Sequence, residues 1–276
     1  MDAPTPEDPV SASSAVERAF RRRAERAWFL ARDAIAAHEP LRFAAGLFRE
    51  QGKLAAALEA LNGRRPLSGR LTEDLPGLLE ASSGLLRFAA EQGPEGLASV
   101  ARARSIDEGP LLGSQVAAFW SAERAPQPDY LSRALLRPYV ELLANLRISP
   151  GRPLRTGHCP FCGGAPWIAG RRPAEEGDGD ARLLGCALCG GEWPFARIRC
   201  PACPEQDPER LPCFRSDDYP AVRIEACETC HRYVKSIDLT LAAEAIPEVD
   251  DLVSLGMDLW AAKEGFERIE PGLAGI

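Results

Sequence analysis

Apolar residues at helical spacing fill the first half of the chain and disappear from the second. Val16, Phe20, Ala27, Leu30 and Ala34 recur at helical intervals behind Ser14, which stands at capping-box spacing from Glu17, and Arg and Glu fill much of the opposite face. Glu39-Pro40 ends that helix or begins the next. Leu41, Ala44, Ala45, Phe48, Leu54, Leu58 and Leu61 predict a helix over 41–61, with a break in phase at Gly52 and a stop at Asn62-Gly63. Residues 63–73 read as a basic loop, followed by helices at 74–91, 94–104, 110–123 and 129–147. In the last, Leu131, Leu135, Tyr139, Leu142 and Leu146 share a face, and Pro138 predicts a kink. About six helices thus predict an α-helical domain over 13–150, behind a disordered tail at 1–12.

The pattern changes at Ser149-Pro150-Gly151-Arg152-Pro153. Beyond it come four Cys-x-x-Cys pairs: Cys159/Cys162, Cys186/Cys189, Cys200/Cys203 and Cys227/Cys230. Twenty-three residues separate Cys162 from Cys186, and 23 separate Cys203 from Cys227, so a shift of 41 positions lays one half on the other. The repeat predicts a first unit at 151–198 and a second at 199–240, each with a hairpin between its cysteine pairs. Ala181–Leu184 and Val222–Ile224 read as strands entering the second pair of each unit, with Trp193–Ile198 and Tyr233–Ile237 leaving it. Glu175–Asp180 reads as an exposed acidic loop. In the remainder, 241–276, a final helix is expected over Pro247–Gly265, with Leu252, Leu255, Leu259 and Ala262 on one face, packed back on the helical domain. The predicted fold is therefore α plus a small metal-bound β part: a helical domain, two tandem rubredoxin-like or zinc-ribbon units, and a C-terminal helix.

Composition narrows the function. The 276 residues carry a formal charge of -7, which gives no general attraction to nucleic acid or anionic membrane. No apolar run is long enough for membrane insertion. Arg21-Arg22-Arg23 lacks the apolar core that would make it a twin-arginine signal, and Met1–Pro9 lacks secretory order, so a cytoplasmic protein is expected. In that compartment paired cysteines are metal ligands or redox thiols rather than structural disulfides.

Two Cys-x-x-Cys pairs make a closed tetrahedral site with no open position for water or substrate. The repeat favours Cys159, Cys162, Cys186 and Cys189 as one site and Cys200, Cys203, Cys227 and Cys230 as the other, over a cross-braced arrangement. Four thiolates admit zinc or iron, and spacing by itself favours zinc. Gly163 and Gly190 follow their knuckles, where positive φ is expected; Pro204 and His231 hold the equivalent places in the second unit, predicting a looser knuckle at Cys203. Cys213 is unpaired and reads as a surface thiol. His158 and His231 abut ligand cysteines but are expected outside the coordination shell, and Asp217-Asp218 and Asp250-Asp251 read as solvated. There is no Walker loop, GxGxxG or HExxH, so no enzyme is indicated. A nucleic-acid-binding zinc ribbon remains the alternative, disfavoured by the acidic loop; a dithiol oxidoreductase is disfavoured by the four repeated pairs.

Three stretches resemble the formate dehydrogenase accessory proteins of the FdhE family: His158-Cys159-Pro160-Phe161-Cys162-Gly163, then Cys186-Ala187-Leu188-Cys189-Gly190-Gly191-Glu192-Trp193, then Asp250-Asp251-Leu252-Val253-Ser254-Leu255 continuing to Glu264-Gly265-Phe266. The resemblance is specific over roughly 158–266. It implies a non-catalytic cytoplasmic chaperone that binds the catalytic subunit of respiratory formate dehydrogenase before export. It also implies iron in two rubredoxin-like Fe(Cys)4 sites held by the eight paired cysteines, reversing the preference for zinc. Whether the chain is a homodimer is left open.

Overall fold

A computed structural model describes residues 14–106, 110–121, 129–173 and 180–276. The expected tail at 1–12 and most of the acidic loop lie outside the described residues.

Among the described residues, seven α-helices precede the first strand: α1 (Ala15–Leu30), α2 (His38–Asn62), α3 (Leu71–Ala81), α4 (Ser83–Gln92), α5 (Glu95–Ile106), α6 (Pro110–Ser121) and α7 (Tyr130–Leu146). Ser14 caps α1, its hydroxyl accepting from the Glu17 N–H at 3.1 Å. Gly52 is the point where α2 crosses α1; a Cβ there would stand 3.3 Å from the Cβ of Phe20. The helix expected over 74–91 is two. Ser82 and Ser83 are weak helix formers, and the Ser82 hydroxyl donates back to the Leu79 carbonyl at 2.7 Å, so α3 ends there and α4 begins. Helix α7 runs unbroken through Pro138 and buries every residue from Leu131 to Leu143.

Arg133, Arg137 and Glu141 on that helix are buried too, which an apolar stripe does not predict. Their partners explain it. Arg137 Nε and Arg23 Nη1 both donate to Glu141 at 2.8 Å, and both arginines also bond Glu248. Trp167 lies between two guanidiniums, 5.1 Å from Arg133 and 4.8 Å from Arg137. This ion-pair network ties α1 and α7 to the C-terminal segment. It also explains the arginine run: Arg23 is built into the network, while Arg22 stays exposed.

The β part is one sheet. Its strands are β1 (Pro166–Pro173), β2 (Asp180–Cys186), β3 (Glu192–Pro194), β4 (Cys213–Arg215), β5 (Val222–Cys227), β6 (Arg232–Asp238) and β7 (Glu267–Arg268). The order is β3-β2-β1-β6-β5-β4, with β7 also on β6. Hairpin β1–β2 lies between the first two cysteine pairs and β4–β5 between the last two. The two tandem units that the repeat predicts share this sheet, because β1 and β6 pair in parallel, from Ile168 opposite Lys235 to Arg171 opposite Asp238. Arg182 of β2 reaches across to Glu225 of β5 at 2.6 Å, a second link between the halves.

The single C-terminal helix expected at Pro247–Gly265 is broken into α8 (Pro247–Asp250), a 3-10 turn (Asp251–Ser254) and α9 (Leu255–Lys263). The cause is Lys235, which is 0% exposed. Its ammonium takes hydrogen bonds away from the helix, donating to the carbonyls of Asp251 and Ser254 at 3.1 and 3.2 Å. It also pairs with Asp251 at 3.0 Å and with Asp258, and Arg268 pairs with the same two carboxylates at 3.0 and 3.2 Å. Asp251 is therefore a buried ion partner, not a solvated residue, and Asp250 bonds Arg26. The break rotates α9: Leu259 is exposed, while Met257 and Ala261 pack on Ile224, Ala226 and Tyr233 of the sheet. Contact with the helical domain is made by α8 instead, through Glu248 and Asp250.

Burial pushes the Glu248 carboxyl up, but Arg137 and Arg23 outweigh it and hold the group below its ordinary value. Its stabilising effect is thus present above the unfolded-chain value and lost as pH falls through the lowered folded one. Glu248→Gln is expected to lower the unfolding free energy by about 3 kcal/mol at neutral pH. Urea titration should show the gap to the parent narrowing below pH 4.5, the ordinary glutamate value. A gap independent of pH would show that the charge of Glu248 contributes nothing.

Candidate metal centres

The cysteine sulfurs group by repeat half. Those of Cys159, Cys162, Cys186 and Cys189 lie within 4.8 Å of one another, as do those of Cys200, Cys203, Cys227 and Cys230. Cys159 and Cys189 are 3.5 Å apart and Cys162 and Cys186 3.4 Å; in the second cluster Cys200 and Cys230 are 3.7 Å apart and Cys203 and Cys227 3.6 Å. A disulfide would require about 2.05 Å. Four thiolates about 2.3 Å from a tetrahedral ion stand about 3.8 Å apart. The donor set and its spacing therefore fit a four-coordinate metal ion at each cluster.

The knuckles are shaped for this. Each first-cluster pair is followed by a glycine at positive φ, Gly163 at 66° and Gly190 at 65°. The Cys159 N–H donates to the Gly164 carbonyl at 2.9 Å, and the Cys186 N–H to the Gly191 carbonyl at 2.9 Å, closing both turns. The N–H groups of Leu188 and Cys189 point at the Cys186 sulfur from 3.3 and 3.4 Å. Gly164 must lack a side chain, since a Cβ would stand 2.6 Å from that sulfur.

The second cluster keeps part of this design. Cys200 N–H donates to Glu205 at 3.0 Å, and the Ala202 N–H points at the Cys200 sulfur from 3.3 Å. Pro204, where Gly163 stands in the first cluster, has no N–H to offer. His231 takes the positive φ, 53°, that Gly190 takes in the first.

Burial separates the clusters further. All four sulfurs of the first are buried and belong to the same apolar core as the helices, whereas Cys203 and Cys230 of the second are only half-buried. Arg152, from the segment joining α7 to the sheet, clamps the first cluster. It donates to the Cys162 carbonyl at 3.0 Å and to the Trp120 carbonyl at 3.2 Å. On the other side, a Cβ on Gly190 would stand 2.9 Å from both Arg23 and Glu141, so the knuckle rests directly on the buried ion pairs.

The surroundings of the first cluster pull its thiols in opposite directions. Burial, with the neighbouring sulfurs, pushes the Cys186 thiol well above its ordinary value, while hydrogen bonds from Cys162, Cys186 and Cys189 pull Cys159 down. Burial likewise pushes Cys200 up to about 11. All four sulfurs of a cluster can ionise together only around a cation.

The other candidates lie apart. Cys213 is exposed on β4. His158 Nδ1 lies 3.3 Å from the Thr156 carbonyl, and the His231 ring faces Phe266 at 6.1 Å. Sequence reasoning missed Arg152 and the charged residues behind the knuckles. The available signal was the i, i+4 spacing of Arg133, Arg137 and Glu141 inside an otherwise apolar helix.

A family model described as "FdhE, C-terminal domain" matches residues 198–273. The chain is 33% identical to a "Protein FdhE homolog" of Aquifex aeolicus over 118 residues, 43% of this chain and 41% of that protein. With the homolog of Rhizobium meliloti it shares 28% identity across 98% of this chain and 94% of the other. It spans only about two fifths of the length of the Aquifex relative and of one from Pseudomonas aeruginosa, 41% and 38%. The fold resembles the crystal structure of the FdhE protein from Pseudomonas aeruginosa, with a TM-score of 0.69 and 24% identity over 95% of this chain and 97% of that one.

The difference in burial predicts an order of metal loss. A chelator titration of the metal-loaded chain should run in two phases, the fast one from the half-buried cluster and the slow one limited by unfolding. Cys203→Ser should abolish the fast phase alone. A fast phase that survives this substitution would contradict the assignment.

Proposed function

We propose that the chain is a member of the FdhE family and a cytoplasmic accessory protein of formate dehydrogenase assembly. It binds the catalytic subunit of the enzyme before export and catalyses no reaction of its own. Its eight paired cysteines hold two metal ions, iron in rubredoxin-like Fe(Cys)4 sites. The observation that carries this reading is the pair of closed four-cysteine clusters set in an FdhE-like fold. A closed thiolate shell leaves no coordination position for a substrate, so a bound ion shapes the protein or changes charge with oxidation state. Bound iron would supply a one-electron couple at each cluster. The chain's own residues then fix what a partner meets: Arg152 and the Arg23–Glu141 pair transmit the shape of the first cluster to α6, α1 and α7.

Capture of the purified formate dehydrogenase catalytic subunit under anaerobic conditions tests this. The metal-loaded chain is expected to retain the subunit, and the chelator-stripped chain to retain less. Absence of binding by the loaded chain would overturn the assignment.

A further inference from the structure

The α1–α2 hairpin turns back at an exposed aromatic and aliphatic patch. Trp28 and Phe29 are each 49% exposed and Ile35 is 91% exposed. Two arginines stand over the rings, with the guanidinium carbon of Arg42 4.9 Å from the centre of Trp28 and that of Arg32 4.6 Å from the centre of Phe29. Neither makes an ion pair among the described residues; the Arg32 Nε donates only to its own helix, at the Phe29 carbonyl, 3.4 Å away. Asp33 and Glu39 flank the turn and pair with neither arginine. A third arginine, Arg26, also approaches Phe29, but it is held by Asp250, at 2.9 Å through Nε. That bond fastens the end of α1 to the C-terminal segment.

Exposed tryptophan and arginine are the side chains that dominate interface energies when they become desolvated. A guanidinium stacked on a ring keeps its N–H edge aimed outward, ready for bidentate contact with a carboxylate. We propose that this end of the hairpin is the docking surface for an acidic segment of a partner protein carrying at least one large apolar side chain. The inference rests on the assembly-factor reading above and adds where the partner binds. A second copy is a poorer occupant, because a two-fold contact through the patch would bring the free arginines of both copies together. An anionic lipid surface is poorer as well, because the two unpaired arginines of the patch fall short of the cluster of about four to eight basic residues that recognises such a surface.

The test uses the full metal-loaded chain and the purified formate dehydrogenase catalytic subunit, with Kd measured as a function of salt. Trp28→Ala with Phe29→Ala, and separately Arg32→Glu with Arg42→Glu, are each expected to raise Kd about tenfold or more. The arginine variant should also lose most of the salt dependence. All four side chains are exposed, so unchanged thermal melting verifies that the variants fold. Variants that bind within about twofold of the parent would overturn the docking surface and leave the assembly reading standing. A parent chain that does not bind overturns that reading and this inference with it. Sedimentation of the parent, but not the variants, with anionic vesicles would assign the patch to lipid. Self-association lost in the variants would assign it to a second copy, and either result overturns the proposal.

Discussion

Four sulfur atoms held within 4.8 Å of one another, twice over, are the constraint on which the β half of this protein depends. Four thiolates at that density repel one another, so they can ionise together only around a cation. The sheet is built to hold the clusters in place: each pair of knuckles is carried on the ends of a hairpin, and the two hairpins are joined by the parallel β1–β6 pairing. A unit of 35–40 residues cannot form a sufficient core by itself. Here a shared sheet and two clusters able to hold a metal ion compensate for that.

The first cluster is also part of the helical half. Its cysteines share an apolar core with α1, α2 and α7, and the Gly190 knuckle sits on the Arg23–Glu141 pair. Behind it, two arginines and two glutamates pair with one another in a largely buried network. Such a network adds little net stability compared with an apolar core, but breaking one member is costly. It therefore specifies how the helices sit on the sheet. The second cluster has no such backing, which makes it the more accessible of the two.

Much of this was legible from residue pattern. The capping residue Ser14, the helical stripe of α7 and the 41-residue repeat each carry a local signal. What was hidden depends on contacts between distant residues. The break in the C-terminal helix comes from Lys235, on a strand, capturing the carbonyls of Asp251 and Ser254. The joining of the two repeat units comes from parallel pairing, for which β1 and β6 offer no turn signal. Asp250-Asp251 looked solvated because adjacent carboxylates usually are, and the cations that bury Asp251 lie 16 and 17 positions away. The cysteine grouping could be read because repetition itself encoded it.

The most direct measurement is the metal content of the anaerobically purified chain, taken together with its visible absorption spectrum. Two metal ions per chain, with iron–thiolate charge-transfer bands and no cysteine of the eight free to react without denaturation, is the predicted result. A chain with no stoichiometric metal, whose paired cysteines titrate as free thiols in the folded state, would contradict it.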